Sequence, residues 1–357
     1  MESLLLYLSS FLYSVLWARH YQRRDRIRPR SQSTFSQVSW AFIIMLFPII
    51  LSCYRYGIGV DYENYVSLFE NFHSSTWTSF SEENLSFEYA NKALSDLGFY
   101  LTGDTFGVFG VYAVLTLVLL ELDYISLPIA TFIMLLLMYS MSLNIVRQAL
   151  AIAVVFYSLK FIQQKKPLYY FIGCLFATGI HSTAFITLSF YFLKDADNTK
   201  YKFLFNNVVK VIIVLFPLLF TLLIGQLQSY VLLEKYFDNY DQEGASIIES
   251  YILKLPVLIP LLLNYKTLSK NKHAKFLYYL FAIELILLSI ASIYKWAFRL
   301  SYYSFIGQIL LVGMLVNQKT HSSALYKPFF CIYYLLYFYL LFFVWGRDGI
   351  FPYSHIN

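Results

Sequence analysis

Apolar runs of about 16 to 26 residues recur along this 357-residue chain, and they constrain its fold more than any other feature. A hydrocarbon core roughly 30 Å thick takes about 20 helical residues to cross. In lipid the backbone must satisfy its own polar groups, so runs of this kind become helices. A membrane barrel would instead alternate apolar and polar residues over roughly ten-residue segments, and the sequence shows no such alternation. Charge is scarce, at 13% of residues, where soluble domains carry about 25%. The expected fold is an all-α polytopic membrane protein of about 11 to 12 transmembrane helices, forming a single transmembrane domain over 1–357. No internal repeat, soluble domain or linker stands out. Residues Met1 to Trp17 lack a basic leader and a small-residue cleavage site, so they read as a retained first span.

Charge gives the expected sidedness. RHYQRRDRIRPR (19–30) carries six Arg and one Asp and is cytoplasmic by the positive-inside rule. The N-terminus is then outside. Spans are expected near 2–17, 37–54, 105–120, 124–143 and 146–162, the last delivering KFIQQKK to the cytoplasm. The run 168–193 is long enough for one tilted span. However, the later loop 226–250 holds five acids and only Lys235, which reads as external. Parity then favours a hairpin of two short helices in 168–193, broken around Gly179 and His181, followed by a span near 208–225. A single span in 168–193 would turn the acidic loop inward. The remaining spans fall near 251–264, 276–293, 300–316 and 328–345, and the C-terminus ends outside. Besides 226–250, the external face carries 55–104, an acidic loop whose aromatic, helically spaced stretches predict short amphipathic helices.

Cations are disfavoured on the outer side, so those placed there invite a reason. Three arginines sit at outer span ends: Arg55 in CYRYGIGVDYENY, Arg147 in LNIVRQALA and Arg299 in YKWAFRLSYY. Arg suits bidentate phosphate recognition, and three converging on one pocket would suit a pyrophosphate. The plainer reading is that each snorkels to lipid headgroups. Asn144, Arg147, Gln148 and Ala151 follow i, i+3, i+4, i+7 and give that helix a polar or small face. Lys295 and Arg299 share a face with Tyr302 and Tyr303, which either grips substrate or anchors the helix at the interface. His181, in the middle of an apolar stretch, is either structural or a proton acceptor for a sugar hydroxyl. Asp61 and Glu63 are rival bases, and Glu88 is a further polar candidate. Glu284, in mid-span, is functional by default or pairs with a polar group on a neighbouring helix.

No CxxC, HExxH or Walker pattern is present, and GIG at 57–59 lacks the third glycine and the strand of a dinucleotide fingerprint. No metal or cofactor is expected, and nothing points to nucleic acid.

Four spaced patches resemble the EpsG/Wzy family of polysaccharide polymerases: RYGIGVDYENY, NIVRQALAIAVVF, ATGIHSTAFITL, and FRLSYYSF with the terminal FPY. The resemblance runs in order from about residue 53 to 353, with the Arg-Gln and His-Ser-x-Ala patches its more specific parts. Spacing between Arg55 and Asp61 departs from the family pattern by an extra residue pair, which leaves the role of Asp61 open. The resemblance implies a GT-C-like enzyme of the bacterial inner membrane that joins undecaprenyl-pyrophosphate-linked oligosaccharide repeat units at its outer face. Arg147, Arg299 and Arg55 would bind the pyrophosphate and His181 or Asp61 would be the base, with no metal required. Tyr62, Tyr65, Glu88, Asn144, Gln148 and Tyr303 would contact substrate. The lipid bilayer is an obligatory partner, and a chain-length regulator protein is a further candidate. Two rival readings are a lipid-linked oligosaccharide flippase and a membrane O-acyltransferase. The first predicts charge deep in a central cavity, whereas most candidate groups here cluster at one face; the second predicts a His-rich cytoplasmic site, whereas His20, His273 and His321 show no such grouping.

Overall fold

Helix is what the apolar runs become. The structure, a computed structural model, describes residues 2–27, 34–64, 66–67, 119, 122–194, 211, 253–291, 296–318 and 321–355. Within them the chain forms α1 (Glu2–Ile27), α2 (Thr34–Tyr54), α3 (Leu127–Asn144), α4 (Val146–Gln163) and α5 (Pro167–Ile180). After a 3₁₀ segment (Ser182–Leu193) come α6 (Leu255–Leu263), the single turn α7 (Tyr265–Leu268) and α8 (Ala274–Ile290). The last elements are α9 (Trp296–Ser301), α10 (Phe305–Asn317) and α11 (His321–Phe338), which continues as a π-helical turn to Val344. Among the described residues the only strand-like pairing is one bridge between Arg55 and His355. The protein is an all-α polytopic membrane protein.

Five stretches are long and apolar enough to cross a bilayer: Phe35–Tyr54, Leu127–Asn144, Val146–Gln163, Ala297–Asn317 and Ala324–Val344. Each coincides with an expected span. The first expected span lies within α1 but is not among the five, because that helix soon runs into Arg19, Arg23 and Arg24. The expected spans at 105–120 and 208–225 lie almost wholly outside the described residues, as do the loop 226–250 and residues 68–104.

The chain divides into two compact units, residues 1–185 with 316–357 and residues 186–315. In the first unit α1 packs against α2 and α3, α11 packs against α3, and α4 pairs with α5. Helix α3 is buried almost all round from Leu127 to Leu143, as a central span should be. Ser52, at the end of α2, is tied to it: the Ser52 and Tyr139 hydroxyls both donate to Pro48 O, at 2.8 and 3.1 Å. At the other end Gln22 Nε2 donates to Ile125 O at 2.8 Å, fixing α1 against the start of α3.

Helices α4 and α5 are joined by a three-residue turn, so they run antiparallel. Their register is set by Gly173, where an added Cβ would lie 2.1 Å from Ser158 Oγ. Only a glycine allows so close an approach. Past that point α5 ends at Ile180. His181 is extended (φ −149°, ψ 118°), which is the break expected near Gly179 and His181.

In the second unit α8 packs against α9 and the turn that follows it. Its interior holds an ion pair, Lys254 Nζ to Glu284 Oε1 at 2.7 Å. Gln308 Oε1 also accepts from Lys254, at 3.1 Å. Of the two sequence readings of Glu284, pairing with a neighbouring helix is what the fold presents. Lys254 sits at the N-cap of α6, where the helix dipole disfavours a cation, and the Glu284 carboxylate compensates.

Candidate active site

Where α2 ends, the chain turns back on itself through Gly57 (φ 61°) and Gly59 (φ 105°). Both angles lie in the region that favours glycine. Gly59 has a second constraint: an added Cβ would lie 2.6 Å from Leu143 O. This puts the turn hard against the end of α3. Gly59→Ala is therefore expected to lower thermal stability well beyond Gly57→Ala, whose Cβ would meet nothing within 4 Å. Strain at Gly57 alone costs about 1–2 kcal/mol. Equal unfolding temperatures for the two variants would show that the contact with α3 does not matter.

Arg55 is fully buried, and its Nη1 donates to Leu143 O at 2.7 Å. The last carbonyls of a helix lack intrahelical donors and carry partial negative charge, so a cation there satisfies both. The guanidinium also lies over the Tyr62 ring, 5.7 Å from its centroid. Tyr62 itself is only 3% exposed. Burial pushes its phenol up and nearby Arg55 pulls partly back, so Tyr62 stays protonated at neutral pH and is no base.

Asp61 and Asn144 make the next contact of this turn, which with the end of α3 forms the lip of the candidate site. The Asp61 N–H donates to Asn144 Oδ1 at 3.1 Å, and Asn144 Nδ2 donates to Asp348 Oδ1 at 3.2 Å. The amide orientation is fixed by its partners, since an N–H needs the oxygen and a carboxylate needs the nitrogen. Asp348 was missed by sequence reasoning. Its signal is the GRDG stretch, in which Gly346, Asp348 and Gly349 all have positive φ and coil the chain tightly.

The C-terminal segment closes over the same end. Gly59 N donates to Gly349 O at 3.2 Å and Tyr56 N to Ser354 O at 3.1 Å. Tyr353 OH donates to Leu51 O at 2.9 Å, and Tyr7 OH to Ile350 O at 3.2 Å. Tyr7 makes edge-to-face contacts with Tyr139, Phe351 and Tyr353, with centroids 5.3–5.6 Å apart. The FPY patch thus holds the lip in place.

Arg147 is the second residue of α4 and half-buried, directly after the kink at Ile145 that separates α3 from α4. Gln148 beside it is buried. The antiparallel register places His181 level with Leu150, within about one helical turn of Arg147 along the axis. His181 Nδ1 lies 2.7 Å from Thr183 Oγ1. Arg147, His181, Asn144, Asp61 and Arg55 therefore share one end of the first unit.

Arg299 and Tyr303 belong to the second unit. Tyr303 is fully buried there, so it packs in the interior where a sugar-facing position was expected. The expected substrate contacts Tyr65 and Glu88 lie outside the described residues, as does Lys295.

The sequence profile of the EpsG family matches residues 38–355. The chain belongs to the EpsG family. The match spans nearly all of both units of this EpsG protein, including each element that builds the lip apart from α1. No curated protein sequence and no solved structure matches the chain significantly. EpsG membership points to a polysaccharide polymerase of glycosyltransferase type, and the apolar helices place it in a membrane as a multi-pass protein.

Proposed function

We propose that this EpsG protein joins oligosaccharide repeat units carried on undecaprenyl pyrophosphate, at the outer face of the bacterial inner membrane. The observation that supports this reading most is the gathering of Arg147, His181, Asn144 and Asp61 at one end of the first unit. All four fall on segments that the charge distribution assigns to the outer side.

In the reaction the acceptor hydroxyl oxygen bonds to the anomeric carbon of the growing chain, and the bond from that carbon to the pyrophosphate oxygen breaks. The lipid pyrophosphate departs with the electron pair. It is already a good leaving group, so the main demand is to stabilise charge on the departing oxygens, which preorganised guanidinium groups do. Arg147 supplies that charge, and Arg299 is the second candidate for the same role. Arg55, committed to Leu143 O, acts as a positioning residue for the lip rather than as a direct ligand.

The acceptor's proton passes to His181. The tautomer whose Nδ1–H donates to Thr183 Oγ1 makes Nε2 the basic nitrogen. Asp61 is the alternative base, and its backbone is held by Asn144.

The test is to reconstitute the purified protein in vesicles with synthetic lipid-pyrophosphate repeat units and read product length on a gel. A ladder is expected. Transport of the unit across the bilayer without elongation would overturn the proposal in favour of a flippase. His181→Gln is expected to lower elongation by about 10²–10⁴-fold and to remove one limb of its pH–rate profile. An unchanged profile would hand the proton to Asp61.

A further inference from the structure

The end of the first unit remote from Arg55 carries a cleft of about 700 Å³ between α1, α3, the last residues of α10 and α11. Polarity along it is ordered. Leu8, Leu12 and Leu16 of α1 and Phe132 of α3 form apolar walls, and Leu335 of α11 continues them. Arg19 and Arg23 of α1 and Lys327 of α11 ring one end, and no carboxylate is among its lining residues.

Both cation-bearing helices therefore present charge at the same level and apolar surface further along. From Arg19 to Leu8 along α1 is about 16 Å, close to half of a hydrocarbon core roughly 30 Å thick. The cleft thus has the depth of one leaflet.

The cationic end also lies at headgroup depth. The Trp17 and Trp40 rings meet at 6.2 Å within a turn of Arg19, and Arg24 lies over the Trp40 ring at 5.4 Å. Indoles favour that level of a bilayer. Gln22, which lines the same end, is committed to Ile125 O and holds the α1–α3 wall in place.

We propose that this cleft binds one anionic glycerophospholipid of the adjoining leaflet. Its phosphate lies among Arg19, Arg23 and Lys327, and an acyl chain runs along the Leu16–Leu8 stripe. Charge complementarity selects the headgroup: three cations with no lining carboxylate favour a net negative lipid over a zwitterionic one, whose own cation would be repelled. The pyrophosphate-linked substrate is served by the opposite end of the unit, so this site is distinct from the proposed chemistry.

The probe is dioleoyl phosphatidylglycerol, compared with dioleoyl phosphatidylcholine, inorganic phosphate and undecaprenyl pyrophosphate. Each is titrated into the detergent-purified full chain, with retained lipid counted by native mass spectrometry and protection read from the unfolding temperature. Phosphatidylglycerol is expected to be retained as a single adduct and to raise the unfolding temperature, while phosphatidylcholine does neither. The variant Arg19→Gln/Arg23→Gln/Lys327→Gln is expected to weaken retention at least about tenfold. A charge-matched control, Lys166→Gln/Lys272→Gln/Lys275→Gln, is expected to keep it. Leu12→Trp keeps all three cations, changes an exposed side chain and fills the apolar arm, and it too is expected to lose the adduct. The proposal is overturned by equal retention of phosphatidylcholine, by equal protection from inorganic phosphate, or by tighter retention of undecaprenyl pyrophosphate. Loss of the adduct in the charge-matched control, or its persistence in Leu12→Trp, overturns it as well.

Discussion

Arg147→Ala is expected to lower chain elongation by about 10²–10³-fold, the usual loss when one preorganised donor to a developing negative charge is removed. The unfolding temperature should stay within roughly a few degrees of wild type, because half-buried side chains rarely control stability. The physical case rests on position. Arg147 lies in the first turn of α4, where the positive end of the helix dipole already favours an anion. A guanidinium added there strengthens binding of a charge that appears only as the pyrophosphate leaves. Arg147→Lys should recover only part of the rate, since an ammonium cannot make the bidentate contact. Single-turnover elongation with synthetic lipid-pyrophosphate units measures this, and a wild-type rate in Arg147→Ala would remove its guanidinium from the mechanism.

Glu284→Ala is the second large effect, and it falls on stability instead of chemistry. Lys254 and Glu284 are both buried, and removing one partner strands the other charge in a low-dielectric interior. Such losses run to about 3–5 kcal/mol. Both Glu284→Ala and Lys254→Ala should accumulate poorly in membranes and unfold at markedly lower temperature. The double variant Lys254→Met/Glu284→Leu should recover most of that loss, because an apolar pair of similar volume needs no desolvation. Recovery of elongation in the double variant would place the pair in the scaffold. A stable double variant with no elongation would return Glu284 to the list of chemical groups.

Helix identity and position were legible in the sequence because hydrocarbon leaves the backbone no other way to satisfy itself. Five crossings fall where the apolar runs predict them, and the break in 168–193 falls at His181. The candidate site was legible in part. Arg147 and Gln148 share the start of α4, whereas Asn144 ends α3 on the other side of the Ile145 kink, which local spacing does not reveal. For Arg55 the sequence does not reveal its contact with Leu143 O, because an arginine at a span end has the same signature whether it faces lipid phosphate or caps a helix far along the chain. The burial of Tyr303 was hidden for a related reason: an aromatic beside an arginine reads as amphipathic, and its burial depends on which elements pack around it.

The sequence by itself determined that this is a multi-pass helical membrane protein, which charges stand near which span ends, and its membership of the EpsG family. These properties are written in runs, periods and ordered patches, which need no partner to be read. Tertiary structure alone decided that Gly59 abuts Leu143, that Arg55 caps α3, that Asp348 completes the Asn144 contact, and that Lys254 meets Glu284. Each of these joins residues 30 or more positions apart, up to 204 for Asn144 and Asp348. Such pairings depend on how whole helices pack, and no local period carries that information.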